Sequence, residues 1–405
     1  MLAELTPARL PERPLAKTLT ADPDAARPVQ YDRPETMLAV VVREGSGKTS
    51  LQPERMPVPT PGSDQVLVRV QATSVISSEI ASREGVSTAT LPLILGNDFV
   101  GTVVEAPGAP SMVGRLVVGA YGGYGYTRPG AWAEFIVVDQ PDVFSVETEL
   151  GVEALAAIPG SFTAASGALR SLGDLAGKRL LIRGGTSGVG LAAATLALDQ
   201  GAHVISTTRD PSKVEKLLAH GVHDVVIDDD DFTAQVRRLF PLGVDLAVDL
   251  LGVDSLRETL RCVQEFGIVC ITGLLRDQTK SIRSREREDR SIPLFPHPMD
   301  LIPPTVRLTV GGVDGTARTP DLMRQWVAGV QSGRYRIPVD SVFTLHQMEQ
   351  AHRRRSDPAA FGKVIVTVGD DPRTTSSSST SSTSTEVPQP ELATEPGDSA
   401  HENQE

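Results

Sequence analysis

Two neighbouring stretches of this sequence have residue types and spacings suited to chemistry on an anionic ligand. The first is Gly184-Gly185-Thr186-Ser187-Gly188-Val189-Gly190, in which Gly188, Gly190 and Ala193 fit G-x-G-x-x-A. Small residues at that spacing allow a tight turn, close approach of backbone amides to a pyrophosphate, and close packing of a helix on a strand. The helix that follows offers unpaired N–H groups and partial positive charge to the anion. The second stretch is Thr208-Arg209-Asp210 with Lys213, about twenty residues on. Binders of NAD carry an acid there for the ribose 2′-hydroxyl. Here no acid ends the apolar run, and Arg209 and Lys213 are cations of the kind that pair a 2′-phosphate. Asp210 is placed to neutralise either one. The expected cofactor is NADPH, held by Gly185, Thr186, Ser187, Gly188, Val189, Gly190, Thr208, Arg209 and Lys213.

These residues need strands and helices to position them, and the patterning supplies both. Residues 179–182 form an apolar strand ahead of the glycines, and residues 189–200 a helix after them. Residues 203–207 are a strand and 212–220 a helix; further strands follow at 224–227, 246–250, 268–272 and 305–310, with a helix at 322–330. Strands alternating with helices indicate βαβ units and a parallel, doubly wound sheet. The chain before about residue 152 is different. Strands at 37–42, 65–70, 99–104, 116–118 and 133–138 are punctuated by Gly and Pro, as in a mostly antiparallel β domain with few helices. Residues 1–36 are Pro-, Ala- and charge-rich, residues 276–300 form a charged connection, and 374–385 are all Ser or Thr. The first and last of these read as disordered.

Composition narrows the partners. The 405 residues are 40% hydrophobic and 22% charged, with a formal net charge of −12, which argues against a nucleic-acid partner. No run of eighteen apolar residues suggests a membrane span, and the N-terminus has no apolar signal core, so a cytoplasmic protein is expected. The two cysteines, Cys262 and Cys270, make neither a disulfide framework nor a cysteine zinc site.

Several segments resemble the medium-chain dehydrogenase/reductase family in its zinc-independent, quinone-reductase-like branch. They are Gly96-Asn97-Asp98-Phe99-Val100-Gly101-Thr102-Val103, Gly130-Ala131-Trp132-Ala133-Glu134-Phe135, Ala156-Ala157-Ile158-Pro159-Gly160-Ser161-Phe162-Thr163, the glycine loop, and the closing Phe361-Gly362-Lys363-Val364. The resemblance implies a Rossmann domain (156–333) inserted in a GroES-like β domain (37–155, closed by 334–369), between an arm (1–36) and a tail (370–405). It implies an active site between the domains and a homodimer. It places Thr163, Gly252, Thr272, Gly273 and Leu274 around the nicotinamide and Lys363 at the phosphates. The zinc branch requires thiolate and imidazole ligands where this chain has Ile76, Asn97 and Pro159, so no metal is expected. The proton-donor positions of the quinone-reductase branch also depart, at Ile76, Ala81 and Ser87. Ser77, Ser78, Glu79, Asn97 and the loop Tyr121-Gly122-Gly123-Tyr124-Gly125-Tyr126 remain near the implied cleft. Tyr124, Ser77 and Asn97 are taken from them as the catalytic candidates, and Glu79 as a helix-start charge. The implied reaction is hydride transfer to a small-molecule conjugated carbonyl, either a quinone or an α,β-unsaturated ketone or aldehyde. The alternatives are an enoyl reductase acting on acyl thioesters and a non-catalytic NADPH-binding sensor or scaffold.

Overall fold

A run rich in Val and Leu, buried at most positions with Arg69 exposed, makes residues 65–75 the longest strand and the spine of the first half. The computed structural model describes residues 33–43, 51–84, 89–273, 301–313 and 318–369. The N-terminal arm, Ser87, Leu274, the 276–300 connection and the Ser/Thr tail lie outside them. In chain order the first half contains β1 (Thr36–Ala39), β2 (Val41–Val42), β3 (Glu54–Pro57), β4 (Gln65–Val75), α1 (Ser77–Arg83), β5 (Leu93–Ile94), β6 (Asp98–Glu105), β7 (Leu116–Ala120), β8 (Phe135–Asp139) and β9 (Phe144–Ser145). The strand expected over 37–42 is two strands, because Val40 turns its amide to the Trp132 carbonyl while Val41 and Val42 pair β5.

The second half begins with α2 (Val152–Ala156) and α3 (Pro159–Leu172), then β10 (Arg179–Arg183), α4 (Gly188–Asp199), β11 (His203–Thr208), α5 (Val214–His220), β12 (Asp224–Ile227), α6 (Phe232–Leu239), β13 (Val244–Asp249), α7 (Val253–Cys262), β14 (Val263–Ile271) and β15 (Arg307–Val310). The chain closes with α8 (Pro320–Gln331), β16 (Val339–Thr344), α9 (Met348–Ser356) and β17 (Lys363–Thr367). Helix α9 and strand β16 were not expected from the patterning.

Six strands form an all-parallel sheet in the order β12-β11-β10-β13-β14-β15. The winding reverses between β10 and β13, and ligands of such sheets bind outside the carboxyl ends of the strands at that reversal. The glycine loop leaves β10 there. The other main sheet is antiparallel around β4, which pairs β6, β8 and β17. β17 also pairs β16, in parallel. The fold is therefore a doubly wound α/β sheet carried by a GroES-like β domain.

Helix α3 joins the two halves of the core. All but Arg170 and Ser171 of its side chains are buried, and it packs against both α4 and β7. Ala165 and Ala168 on α3 and Ala192, Ala193, Ala194 and Ala197 on α4 are buried in the same cluster, and such small side chains let two helix backbones approach closely. The run Val152–Leu172 has the length and apolarity to cross a membrane, but 83% of its most apolar window is buried in the protein.

Candidate functional site

The glycine loop is held from below by its own side chains and by β11. Ser187 caps α4: its Oγ accepts the Gly190 amide at 3.1 Å and donates to the Gly184 carbonyl at 2.8 Å. The Gly184 amide reaches Thr207 Oγ1 at 3.1 Å. A Cβ on Gly185 would stand 1.8 Å from Ser206 Oγ, and one on Gly190 would stand 2.5 Å from the Gly184 carbonyl oxygen. Both glycines are therefore fixed by packing. Behind the loop, Arg183 is fully buried and paired with Asp228 at 2.7 Å, which anchors the end of β10. The capping leaves the amides of Gly188 and Val189 without a partner among the described residues. A turn tight enough to exclude any Cβ, with free helix-start amides above it, fits a dinucleotide's diphosphate.

Gly252, Thr272 and Gly273 gather at the neighbouring strand ends. Thr272 donates its amide to the Asp249 carbonyl at 2.9 Å, and a Cβ on Gly273 would meet the Leu250 carbonyl oxygen at 2.5 Å. Thr163, on α3, is buried, and its Oγ1 has no partner among the described residues.

The two cations expected at the 2′-phosphate part company. Arg209 is exposed and makes no ion pair among the described residues. Asp210 does not neutralise it, because its carboxylate accepts the Ser212 amide at 2.9 Å. Lys213 is buried, and its ammonium donates to the carbonyls of Pro358 and Ala360, the latter at 2.7 Å. It ties the nucleotide-binding half to the closing segment, so the phosphate role expected of it is corrected. Thr208 uses its hydroxyl on the Asp210 backbone. Lys363 packs its stem against Gly188, where a Cβ would lie 2.6 Å from its Cδ. Its ammonium is engaged by Ser74 at 2.6 Å and Asp98 at 3.5 Å, and is therefore already neutralised.

The catalytic candidates are re-sorted as well. Tyr124 is buried in the β-domain core, where its hydroxyl accepts the Asp139 amide at 2.8 Å and donates to Asp142 at 3.3 Å. It is a structural residue, and the expectation of a proton donor there is corrected. The flanking tyrosines stand elsewhere. Tyr121, in a left-handed backbone conformation (φ 66°), donates to the Gly160 carbonyl at 3.1 Å on the first turn of α3. Tyr126 shares a short hydrogen bond with Ser78. Burial raises both phenols above their ordinary range, so both stay protonated near neutrality. Ser77 accepts from the Arg355 guanidinium.

Asn97 and Glu79 form the centre of this end. Glu79 is fully buried and accepts the Ile76 amide at 2.8 Å and the Asn97 amide at 2.9 Å, one on each carboxyl oxygen. It is the helix-start charge expected, and also the brace that fixes the backbone of Ile76 and Asn97. Burial pushes its carboxyl up to about 8. Asn97 is 1% exposed, and neither atom of its side-chain amide has a hydrogen-bond partner among the described residues. Leaving such groups unsatisfied costs about 1–3 kcal/mol each, so a buried bare amide is a place where a ligand's polar atom belongs. Among the described residues, no three His, Cys, Asp or Glu side chains come together as a metal would need.

Two family models match this chain. The alcohol dehydrogenase GroES-like domain covers residues 62–148, and the zinc-binding dehydrogenase domain covers residues 188–292. The chain is 27% identical over 341 residues to the quinone oxidoreductase of Lama guanicoe, covering 82% of this chain and 97% of that protein. It is 24% identical over 344 residues to the synaptic vesicle membrane protein VAT-1 homolog of Mus musculus, covering 82% and 83%. A solved NAD-dependent alcohol dehydrogenase superposes with a TM-score of 0.68 at 27% identity, over 82% of this chain and all of that one.

Proposed function

Because the chain belongs to the medium-chain dehydrogenase/reductase superfamily, in its quinone-oxidoreductase-like branch, we propose that it is an NADPH-dependent reductase of conjugated carbonyls that works without a metal. The observation that carries this reading is Asn97: a buried, unpartnered amide on a backbone fixed at its N–H by Glu79 and at its carbonyl by the Tyr121 amide. Ile76 stands where a metal-dependent relative would need a ligand, and an alkyl chain cannot supply one.

When bound, NADPH supplies a hydride. The protein's tasks are to orient the acceptor, to meet the charge that develops on its oxygen, and to return a proton. The Asn97 amide donates to that oxygen from a dry, preorganised position, where a hydrogen bond is worth more than in water. A conjugated acceptor suits a site with no Lewis acid, because an enolate or hydroquinone spreads the charge. Tyr126, protonated and hydrogen-bonded to Ser78, is the proton donor in this reading. Arg209, exposed just after β11 and without an ion pair among the described residues, supports NADPH over NADH.

Stopped-flow recording of NADPH oxidation against quinones, enones and enoyl thioesters tests the proposal. Turnover of a quinone or enone is expected. Tight NADPH binding with no turnover of any acceptor refutes the enzyme and leaves the non-catalytic sensor.

A further inference from the structure

Arg353, Arg354 and Arg355 are consecutive at the end of α9, yet they are not equivalent. Arg354 is paired with Asp340 at 2.7 Å and with Asp357 at 2.9 Å. Arg355 is half-buried and has no carboxylate within ion-pair distance among the described residues; its guanidinium donates to the Ser77 hydroxyl. The acids that face it are occupied elsewhere. Glu79 is held by two backbone amides, and Asp340 by Arg354 and the Phe361 amide. Burial draws the Arg355 guanidinium below its ordinary range, and the nearby Glu79 and Asp340 offset this only in part.

Its place in the fold says which counter-ion it awaits. The segment leaving α9 runs directly onto the nucleotide-binding half. Pro358 and Ala360 take the Lys213 ammonium, the Gly362 amide donates to the Thr186 carbonyl at 3.2 Å, and Gly362 bridges Ser187. On the other side Ser77 follows Ile76, beside Ser74, which holds Lys363 against Gly188. Lys363 is neutralised by Asp98. A diphosphate would bring two negative charges to this loop.

We infer that Arg355, steadied by Ser77, is a phosphate-binding guanidinium that closes over the dinucleotide's diphosphate from the β-domain side. The inference rests on the dinucleotide reading of the glycine loop. It assigns Arg355 a role distinct from that of Arg209: Arg355 meets a group common to NADPH and NADH, whereas Arg209 meets one found only in NADPH.

The test is direct binding to ligand-free protein, with NADPH and NADH followed by fluorescence and inorganic pyrophosphate by calorimetry. R355Q is expected to raise all three dissociation constants about tenfold or more. The NADPH-to-NADH ratio should stay unchanged and R355K should recover part of the loss. Should R355Q not fold, S77A, which frees the guanidinium, is expected to weaken both nucleotides severalfold. Unchanged affinities in R355Q and S77A overturn the inference. So does a loss confined to the KM of an anionic acceptor, which would give the guanidinium to the substrate. If the wild type binds neither nucleotide, the cofactor reading falls and this seat with it. If the wild type binds both and R355Q binds them equally, only the seat falls.

Discussion

Replacing Glu79 with Gln should remove one specific slope from the pH dependence of stability. The native carboxyl sits at about 8 against an ordinary value of 4.5; burial raises it most, the nearby Asp98 charge adds to this, and the Ile76 and Asn97 amides and the Lys363 charge oppose it. Between those two values the native state keeps a proton that the unfolded chain has lost. The stabilisation from this group is therefore complete below pH 4.5 and drains away as pH rises towards 8. The loss per pH unit is about 1.4 kcal/mol, so from pH 5.5 to 7.5 this group removes about 3 kcal/mol. Glutamine does not titrate. At pH 5.5 the E79Q variant should be the weaker protein, by about 1–3 kcal/mol, because its NH2 cannot accept one of the two amides. By pH 7.5 the wild type should have lost about 3 kcal/mol relative to it. Urea unfolding of both proteins at pH 5.5, 6.5 and 7.5 measures this. Parallel stability curves would refute the argument, because they would mean that Glu79 is ionised and solvated in the native protein.

Four other substitutions separate the roles assigned above. Arg209→Ala should raise the NADPH dissociation constant about tenfold while sparing NADH; equal effects on both would remove its 2′-phosphate role. Tyr126→Phe should lower kcat by about a hundredfold with little change in melting temperature, whereas Tyr124→Phe should lower the melting temperature and leave kcat nearly intact; the reverse pattern would restore Tyr124 to the site. Gly185→Ala places a methyl 1.8 Å from Ser206 Oγ, and calorimetric unfolding should show it destabilised by about 1–3 kcal/mol with nucleotide binding lost. Normal binding by that variant would mean the loop is more yielding than its packing implies.

The glycine loop was legible from the sequence because its constraint is local: a strand end, a turn with no room for Cβ atoms and a helix start fall within fifteen residues. The doubly wound sheet was legible for the same reason. What could not be read depends on contacts between distant segments. Arg209 and Lys213 are both cations after β11, and only the carbonyls of Pro358 and Ala360, some 145 residues away, distinguish them. Three tyrosines lie within six residues, and the left-handed turns at Tyr121, Gly122, Gly123 and Gly125 decide which one turns into the core. Asn97 stands out in the sequence because it lies near the implied cleft, where the zinc branch needs an imidazole, but its bare amide appears only once Glu79 takes the backbone. Arg355 belongs to a run of three arginines whose difference is the placement of Asp340 and Asp357. The one signal the sequence carries is that the run Arg353-Arg354-Arg355 lies shortly before the closing Phe361-Gly362-Lys363.

The interior position of β17 has a consequence for how this protein is made. β17 lies between β16 and β4 and brings Lys363 to Ser74, 289 residues earlier in the chain. During synthesis the parallel sheet, whose strands lie between Arg179 and Val310, has emerged before the last strand of the sheet around β4 exists. The half begun first is therefore finished last, and the edge of β4 that β17 will cover stays open through most of translation. An unpaired strand edge of that kind is a template for wrong partners. Premature termination just before residue 363 should therefore be more harmful in a cell than the loss of one short strand suggests, because it leaves that edge permanently uncovered.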